Sequence, residues 1–225
     1  MGVRTGEEYI SGLRDDRQIF VNGSLVSDVT DYPAFRRGVE ELARVYDHQH
    51  DPAYKSTLTF TSPSDGNPVS TSFMMAKTMD ELDLRIRGES LRADLTYGLM
   101  GRLPDYMNAF ATDCAAIAYL LGHRQASFGE NAINYWQHVR DNDLALTHVL
   151  VDPHIDKSKG VEASKAMHVV EETSAGLVVE GCKMLSTLAP LSDEVYVAPY
   201  MPRKAGEEKY TLICSIPVNS EGLKF

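Results

Sequence analysis

Apolar residues recur with the period of an amphipathic helix through the first two-thirds of the chain. A helix after Pro33 is predicted by four apolar residues spaced three or four positions apart: Phe35, Val39, Leu42 and Tyr46. A capping box, Ser or Thr followed three residues later by Glu, satisfies free amides at a helix start. This pattern predicts three helix starts: Thr5 with Glu8, Thr78 with Glu81, and Ser127 with Glu130. A further helix is predicted to begin near Pro104, and the helical region to end near Asp143.

Alternation with period two marks the predicted strands. Residues 57–60 and 69–73 alternate on either side of the turn-forming run Asp65-Gly66-Asn67-Pro68, which predicts a β-hairpin among the helices. Beyond Asp143 the runs of β type are residues 144–151, 167–171, 177–179, 195–200 and 210–218, with Ser174-Ala175-Gly176 as a hairpin turn. Successive strands without helices between them imply an antiparallel sheet or barrel.

These patterns predict an α+β protein of two domains. Residues 1–143 are expected to form a helical N-terminal domain with a small β-hairpin, and residues 144–225 a domain built on an antiparallel sheet or β-barrel. With 225 residues, 43% of them hydrophobic, the chain can bury a substantial core.

Charge and composition exclude several classes of function. The net charge of −10 repels nucleic acid and anionic membrane surfaces, so neither is an expected partner. No apolar run approaches the roughly 20 residues that span a bilayer, and the first residues lack the apolar core of a signal peptide. We therefore expect a cytoplasmic protein whose three cysteines, Cys114, Cys182 and Cys214, are reduced and mostly buried.

The run Gly101-Arg102-Leu103-Pro104-Asp105-Tyr106 places a cation and a phenol around one helix entrance. Arg102 can hold a carboxylate or phenolate by a bidentate contact, and Tyr106, four residues on, can face the same pocket. The alternative is that Arg102 pairs with Asp105 at the surface and Tyr106 is an ordinary half-buried aromatic residue. From the residues alone, both interpretations stand.

His148 follows Thr147 in an otherwise apolar strand. Histidine titrates near neutral pH, which suits it to donate to a phenolate oxygen or to take up a proton. The alternative is a core histidine whose hydrogen bonds are satisfied locally. The pair His48 and His50 lacks a third ligand and points to opposite sides of a helix, so no metal site is expected.

Four segments resemble one known family. The run Gly101 to Tyr106 resembles a G-R-x-P-D-Y signature, and residues 147–153 resemble an N-H-A-(I/L)-V-(N/D)-P segment. His154-Ile155-Asp156-Lys157 is similar to a P-x-(I/M)-D-R stretch, with Lys in place of the usual Arg. Residues 181–189 resemble a G-x-K-x-x-(A/G)-T segment. The family is that of the 4-hydroxyphenylacetate 3-monooxygenase oxygenase components, two-component phenol hydroxylases with an acyl-CoA dehydrogenase-like fold.

The resemblance implies an activity and a set of site residues. It implies an enzyme that uses reduced FAD (FADH2), supplied by a separate NAD(P)H-flavin reductase, and O2 to hydroxylate a phenol such as 4-hydroxyphenylacetate ortho to its hydroxyl. The implied substrate-binding catalytic residues are Arg102, Tyr106 and His148. The implied FAD-binding residues are His154, Ile155, Asp156, Lys157, Leu185, Ser186 and Thr187. Members are roughly twice as long, with a C-terminal helical bundle and a homotetrameric assembly, so this chain is expected to be incomplete.

Two alternatives remain open. The first is a lyase resembling 4-hydroxybutyryl-CoA dehydratase, which uses FAD with an iron–sulfur cluster. That chemistry needs several cysteine ligands, whereas Cys114 stands alone near the signature. The second is a truncated, non-catalytic fragment. A Rossmann-type dinucleotide site has no support, since no G-x-G-x-x-G follows a predicted strand.

Overall fold

The computed structural model describes residues 2–98, 104–153 and 160–225. The helices are α1 (Gly6–Gly12), α2 (Arg36–His48), α3 (Lys55–Leu58), α4 (Met79–Leu95), α5 (Pro104–Ala116), α6 (Ala118–Leu121) and α7 (Ala126–Asp141). The strands are β1 (Phe20–Val21), β2 (Ser24–Leu25), β3 (Thr59–Thr61), β4 (Pro68–Ser70), β5 (Leu146–Val149), β6 (His168–Thr173), β7 (Gly176–Glu180), β8 (Glu194–Val197) and β9 (Cys214–Pro217). None of the described helices is long and apolar enough to span a membrane.

The helix starts follow the predicted capping in two cases out of three. Thr5 and Thr78 each form a complete capping box at the start of α1 and α4. The capping box predicted at Ser127 is wrong, because α7 begins at Ala126 and Ser127 therefore lies inside the helix. The Ser127 hydroxyl lies instead 2.7 Å from the side-chain amide nitrogen of Gln125, which donates to it.

The predicted hairpin among the helices is confirmed. Strands β3 and β4 pair antiparallel from Thr59 opposite Ser70 to Thr61 opposite Pro68. The turn between them is closed by the Asp65 carboxylate, which accepts a 3.1 Å hydrogen bond from the backbone amide of Asn67. The hairpin leads into a short 3₁₀ turn, Thr71–Phe73, whose buried Phe73 packs against α5 and α7.

The strands after α7 form an open mixed sheet and a separate hairpin. The sheet has the order β5-β8-β9, in which β8 and β9 are antiparallel, whereas β5 and β8 are parallel. The prediction of an all-antiparallel sheet is therefore wrong for β5 and β8. The long connection through the β6–β7 hairpin returns the chain to the starting end of β5 before β8 begins, which makes that pair parallel. No closed sheet occurs among the described residues, and the barrel stays a prediction.

The mixed sheet is buried on both faces. Leu146 and Tyr196 pack against Phe73, Met107 and Trp136 in the cluster that α5 and α7 cover. On the other face Val149, Val195 and Val197 form a second buried cluster. Because side chains alternate between faces along a strand, His148 lies on the same face as Leu146, toward the helices.

Arg4 connects the beginning of the chain to the beginnings of β5 and β8. Its guanidinium pairs with the Asp193 carboxylate at 2.7 Å and donates to the Tyr46 hydroxyl at 3.2 Å. Its Nε donates to the Asp143 carbonyl oxygen at 2.9 Å. The same Asp193 oxygen accepts a 2.6 Å hydrogen bond from the Ala145 amide. One cation thus joins residues just before each of the two parallel strands.

We predict that Arg4→Met lowers the free energy of unfolding by about 3 kcal/mol, since removing one partner leaves the Asp193 carboxylate without its cation in a largely buried place. Urea denaturation followed by circular dichroism measures this. The matched control is Arg36→Met, because Arg36 and Glu40 form an exposed pair at 3.8 Å. It should cost less than about 1 kcal/mol. Equal losses in the two variants would contradict the role of Arg4.

Candidate active site

Three side chains lie side by side across the face of the mixed sheet that faces α5 and α7. His148 on β5 is opposite Tyr196 on β8, and Tyr196 is opposite Ser215 on β9. Directly paired residues of neighbouring strands point to the same face. We call His148, Tyr196 and Ser215 the strand row.

Each member of the strand row meets an aromatic residue from a helix. The Tyr106 ring of α5 lies 5.5 Å from the His148 ring, centroid to centroid, at 55°. One turn later on α5, Phe110 contacts Tyr196 edge-on at 4.9 Å. The Tyr135 hydroxyl of α7 donates to the Ser215 hydroxyl at 2.8 Å, and Ser215 donates to Glu194 at 2.6 Å. The helices and the sheet therefore meet through a row of ring contacts and hydrogen bonds.

The contact between Tyr106 and His148 brings together two residues that were predicted to act on substrate. Tyr106 is 51% exposed and His148 is half-buried, so both rings border solvent-accessible space. A phenol hydroxyl and an imidazole at this separation can hydrogen-bond to one small polar group between them. The structure places both residues at one site, whereas their substrate-binding roles stay predictions.

The segment predicted to bind the cofactor lies against the strand that carries His148. The Ser186 hydroxyl donates to the His148 carbonyl oxygen at 3.4 Å, and the Thr147 hydroxyl donates to the Thr187 carbonyl oxygen. Leu185 has a left-handed φ of 65°, a strained conformation for a side chain with a Cβ, and is 73% exposed. The Thr187 side chain is also exposed. Residues 185–187 thus lie along the backbone of β5 at Thr147 and His148, with the Leu185 and Thr187 side chains exposed.

The remaining predicted site residues lie outside the described residues. They are Arg102, from the signature, and His154, Ile155, Asp156 and Lys157, from the second segment. Their proposed contacts to substrate and cofactor stay predictions.

Sequence reasoning missed two residues of this site, Phe110 and Tyr196. Phe110 was detectable in principle, because it follows Tyr106 by four residues and a helix places both on one face. Tyr196 was not, since its position beside His148 depends on the parallel pairing of β5 with β8. Burial raises the pKa of Tyr196 to about 12, so its phenol is neutral and acts as a polar wall of the row.

The three cysteines are free thiols. Cys114 and Cys214 are half-buried, but the expectation of burial is wrong for Cys182, which is exposed in the turn after β7. Its thiol points back toward the Lys165 carbonyl oxygen at 3.5 Å. Within residues 2–98, 104–153 and 160–225, no three His, Cys, Asp or Glu side chains gather in a way that could hold a metal ion.

A sequence model described as the N-terminal part of 4-hydroxyphenylacetate 3-hydroxylase matches residues 5–225. The chain belongs to the 4-hydroxyphenylacetate 3-hydroxylase family. It is 38% identical to the 4-hydroxyphenylacetate 3-monooxygenase oxygenase component of Thermus thermophilus, over 99% of this chain and 46% of that protein. The chain spans about half the length of the curated relatives it matches.

Solved structures agree with this family assignment. The crystal structure of an oxygenase component of 4-hydroxyphenylacetate 3-monooxygenase, complexed with FAD and 4-hydroxyphenylacetate, superposes with a TM-score of 0.88 and 38% identity. It covers 97% of this chain and 46% of that one. An archaeal 4-hydroxybutyryl-CoA dehydratase from N. maritimus gives a TM-score of 0.82 at 18% identity, over 98% and 44% of the two chains. At that identity the likeness is one of fold, and the dehydratase alternative is not favoured.

Asp105, which precedes Tyr106 in the family signature, belongs to a polar cluster with Glu89 and Arg92 of α4. The Asp105 carboxylate accepts a 2.9 Å hydrogen bond from the Tyr106 amide and contacts the side chain of Glu89 on α4. Burial, together with the Asp105 carboxylate, raises the pKa of Glu89 to about 7, although Arg92 at 3.7 Å opposes the shift. Glu89 is therefore partly protonated near neutral pH, and its contact with Asp105 joins α4 to the first turn of α5.

We predict a loss of stability with rising pH that depends on Glu89. A carboxyl group whose pKa is higher in the folded state contributes stability that is complete below its unfolded value and is lost as the pH rises through its folded value. The free energy of unfolding should fall between about pH 5 and pH 8, and Glu89→Gln should remove roughly 1 kcal/mol of that fall. Urea denaturation at a series of pH values measures the difference between the two proteins.

The control for this prediction is Glu40→Gln, a substitution in an exposed ion pair. It should leave the pH dependence as it is in the wild-type protein, since surface pairs contribute little. An unchanged pH dependence in Glu89→Gln would show that Glu89 does not retain a proton in the folded protein.

Proposed function

We propose that the protein, at the length its gene encodes, is the oxygenase component of a two-component flavin-dependent monooxygenase. It would use reduced FAD and O2 to hydroxylate a para-substituted phenol such as 4-hydroxyphenylacetate ortho to its hydroxyl, with the FADH2 supplied by a separate NAD(P)H-flavin reductase. The observation that carries the proposal is the meeting of Tyr106, from a helix, with His148, from a strand, beside the segment Leu185–Thr187.

The described residues suit the flavin ring. A flavin site needs apolar surface with a few well-placed polar groups. Leu185 offers exposed apolar surface, Thr187 an exposed hydroxyl, and Ser186 a hydroxyl already anchored to β5. When bound, reduced FAD would supply the electrons that activate O2, so that one oxygen atom of O2 goes to the phenol and the other to water. The segment His154–Lys157 is proposed to add polar contacts.

The residues of the chain itself would bind and polarise the phenol. Tyr106 and His148, whose rings lie 5.5 Å apart, would hydrogen-bond the substrate hydroxyl between them, and His148 would take up its proton. Loss of that proton would leave a phenolate, whose oxygen donates electron density to the ortho and para carbons of the ring. Because the para carbon is already substituted, the ortho carbon would be the one that reacts. Arg102 is proposed to compensate the negative charge of the phenolate or of a substrate carboxylate. Phe110 and Tyr196 would close the site on the side of the sheet.

The direct test uses the natural-length protein with a flavin reductase, NADH, FAD and 4-hydroxyphenylacetate. We expect the corresponding catechol, detected by liquid chromatography and mass spectrometry, with one oxygen atom derived from ¹⁸O2. A panel of other para-substituted phenols then defines the substrate class. No catechol from any phenol, with reduced FAD shown to bind, would reject the proposal and leave the non-catalytic alternative.

We predict that His148→Ala and Tyr106→Phe lower catechol formation by about 100-fold, the scale of one proton-transfer or polarising group. Oxygen consumption should continue, with hydrogen peroxide in place of catechol, because these residues act on the phenol rather than on the flavin. The matched controls are His123→Ala and Tyr119→Phe, which change exposed residues after α5. Controls that lose as much catechol as the site variants would contradict these roles.

A further inference from the structure

Lys183 has an ammonium group that is almost completely buried. Its side chain is 7% exposed, although it follows β7 in a connecting segment. Burying an ammonium group is costly unless each of its hydrogens has a partner. Lys183 has three: Nζ lies 2.8 Å from the Asp152 carboxylate, 3.1 Å from the Leu150 carbonyl oxygen and 3.1 Å from the Ala198 carbonyl oxygen. The ammonium thus has one ion-pair partner and two carbonyl acceptors.

The two carbonyl partners belong to the ends of the two parallel strands. Leu150 follows β5 directly, and Ala198 follows β8 directly. Because β5 and β8 are parallel, the carboxyl ends of both strands lie at the same end of the sheet. The ammonium of Lys183 therefore bridges the carboxyl ends of the two strands and compensates the partial negative charge of their carbonyl groups.

Asp152 also pairs with a second cation, Arg203, from the segment after β8. The Arg203 guanidinium hydrogen-bonds to the carboxylate oxygen that Lys183 does not contact. Burial alone would raise the pKa of Asp152, but the hydrogen bonds from Lys183 and Arg203 outweigh burial and lower it. The carboxylate is thus charged at neutral pH and joins three segments at one edge.

The backbone next to Lys183 leads directly to the segment beside His148. The Met184 amide donates to the Val151 carbonyl oxygen at 2.8 Å, so residues 183 and 184 are bound to β5 by side chain and backbone together. Leu185, which follows, takes the strained left-handed conformation that turns the chain toward Ser186 and Thr187. A strained residue persists only where its surroundings fix it on both sides.

We propose that the ion pair of Lys183 with Asp152 is a positioning device for the flavin: it fixes Leu185, Ser186 and Thr187 beside His148 before the cofactor binds. The inference rests on the proposed function. Fixing a binding segment in advance lowers the entropy lost on binding, so the pair should contribute to FAD affinity without touching the phenol. Lys183 and Asp152 are thus positioning residues rather than catalytic ones.

The experiment measures the Kd of reduced FAD under anaerobic conditions, together with kcat and KM for FAD and for the phenol. The variants are Lys183→Met, Lys183→Arg and Asp152→Asn, each compared with the natural-length wild-type protein at a temperature where circular dichroism shows it folded. Lys209→Met is the matched control, since Lys209 pairs with Glu162 at 3.5 Å on an exposed surface. Hydrogen exchange of residues 184–188 in the flavin-free protein reports whether the segment is fixed.

We expect Lys183→Met to raise the Kd of reduced FAD about tenfold or more, with kcat at saturating FAD and KM for the phenol within about twofold. Exchange of residues 184–188 should be faster. Lys183→Arg, which retains the charge, should recover part of the affinity, and Lys209→Met should bind FAD as the wild type does. The Lys183→Met/Asp152→Asn double variant should lose less affinity than the sum of the single variants, since both remove one interaction.

The inference is overturned if folded Lys183→Met or, where that variant does not fold, folded Asp152→Asn binds reduced FAD with wild-type affinity. It is also overturned if kcat and both KM values worsen equally, since that pattern indicates a general structural role. A wild-type protein that does not bind reduced FAD rejects the proposed function instead, and the two failures are therefore distinguishable.

Discussion

The rest of the structure depends on one buried cation, Arg4, which fixes where the parallel strands begin. Its guanidinium holds Asp193, just before β8, and the backbone of Asp143, just before β5. Asp193 in turn accepts the amide of Ala145, so the two strands start in a defined register. That register decides which residues face α5 and α7. With a shift of one residue along β5, His148 would point to the opposite cluster of valines.

A second buried cation, Lys183, holds the opposite ends of the same strands. The pair β5–β8 thus has a guanidinium among carboxylates at its amino ends and an ammonium among carbonyl groups at its carboxyl ends. Hydrophobic packing of Val149, Val195 and Val197 stabilises the sheet, but apolar contacts are non-directional and tolerate small shifts. The backbone hydrogen bonds between β5 and β8 set the register that places His148 opposite Tyr196, and the two charged contacts add directional constraints at the ends of the strands.

Local patterns in the sequence were sufficient for what depends on neighbours in the chain. The capping boxes at Thr5 and Thr78, the hairpin around Asp65 and the start of α5 at Pro104 all involve residues a few positions apart. The polarity of β5 against β8 was not predictable in this way, since it depends on the path of a long connection. The strand row and the role of Arg4, whose partner lies far along the chain, follow from that pairing and were missed for the same reason.

The two candidate substrate residues are held by different kinds of interaction, which indicates where the site can adapt. His148 stands on a strand fixed at both ends by buried cations. Tyr106 stands on the first turn of α5, where Asp105 contacts Glu89, and Glu89 retains its proton only while the pH stays near or below neutral. Carboxyl groups that both ionise repel each other, whereas the Arg4 guanidinium before β5, whose pKa is raised, keeps its charge over the same pH range. A rise in pH should therefore displace Tyr106 rather than His148. In the proposed function, β5 would therefore fix the position of the phenol ring, and the first turn of α5 would adapt to it.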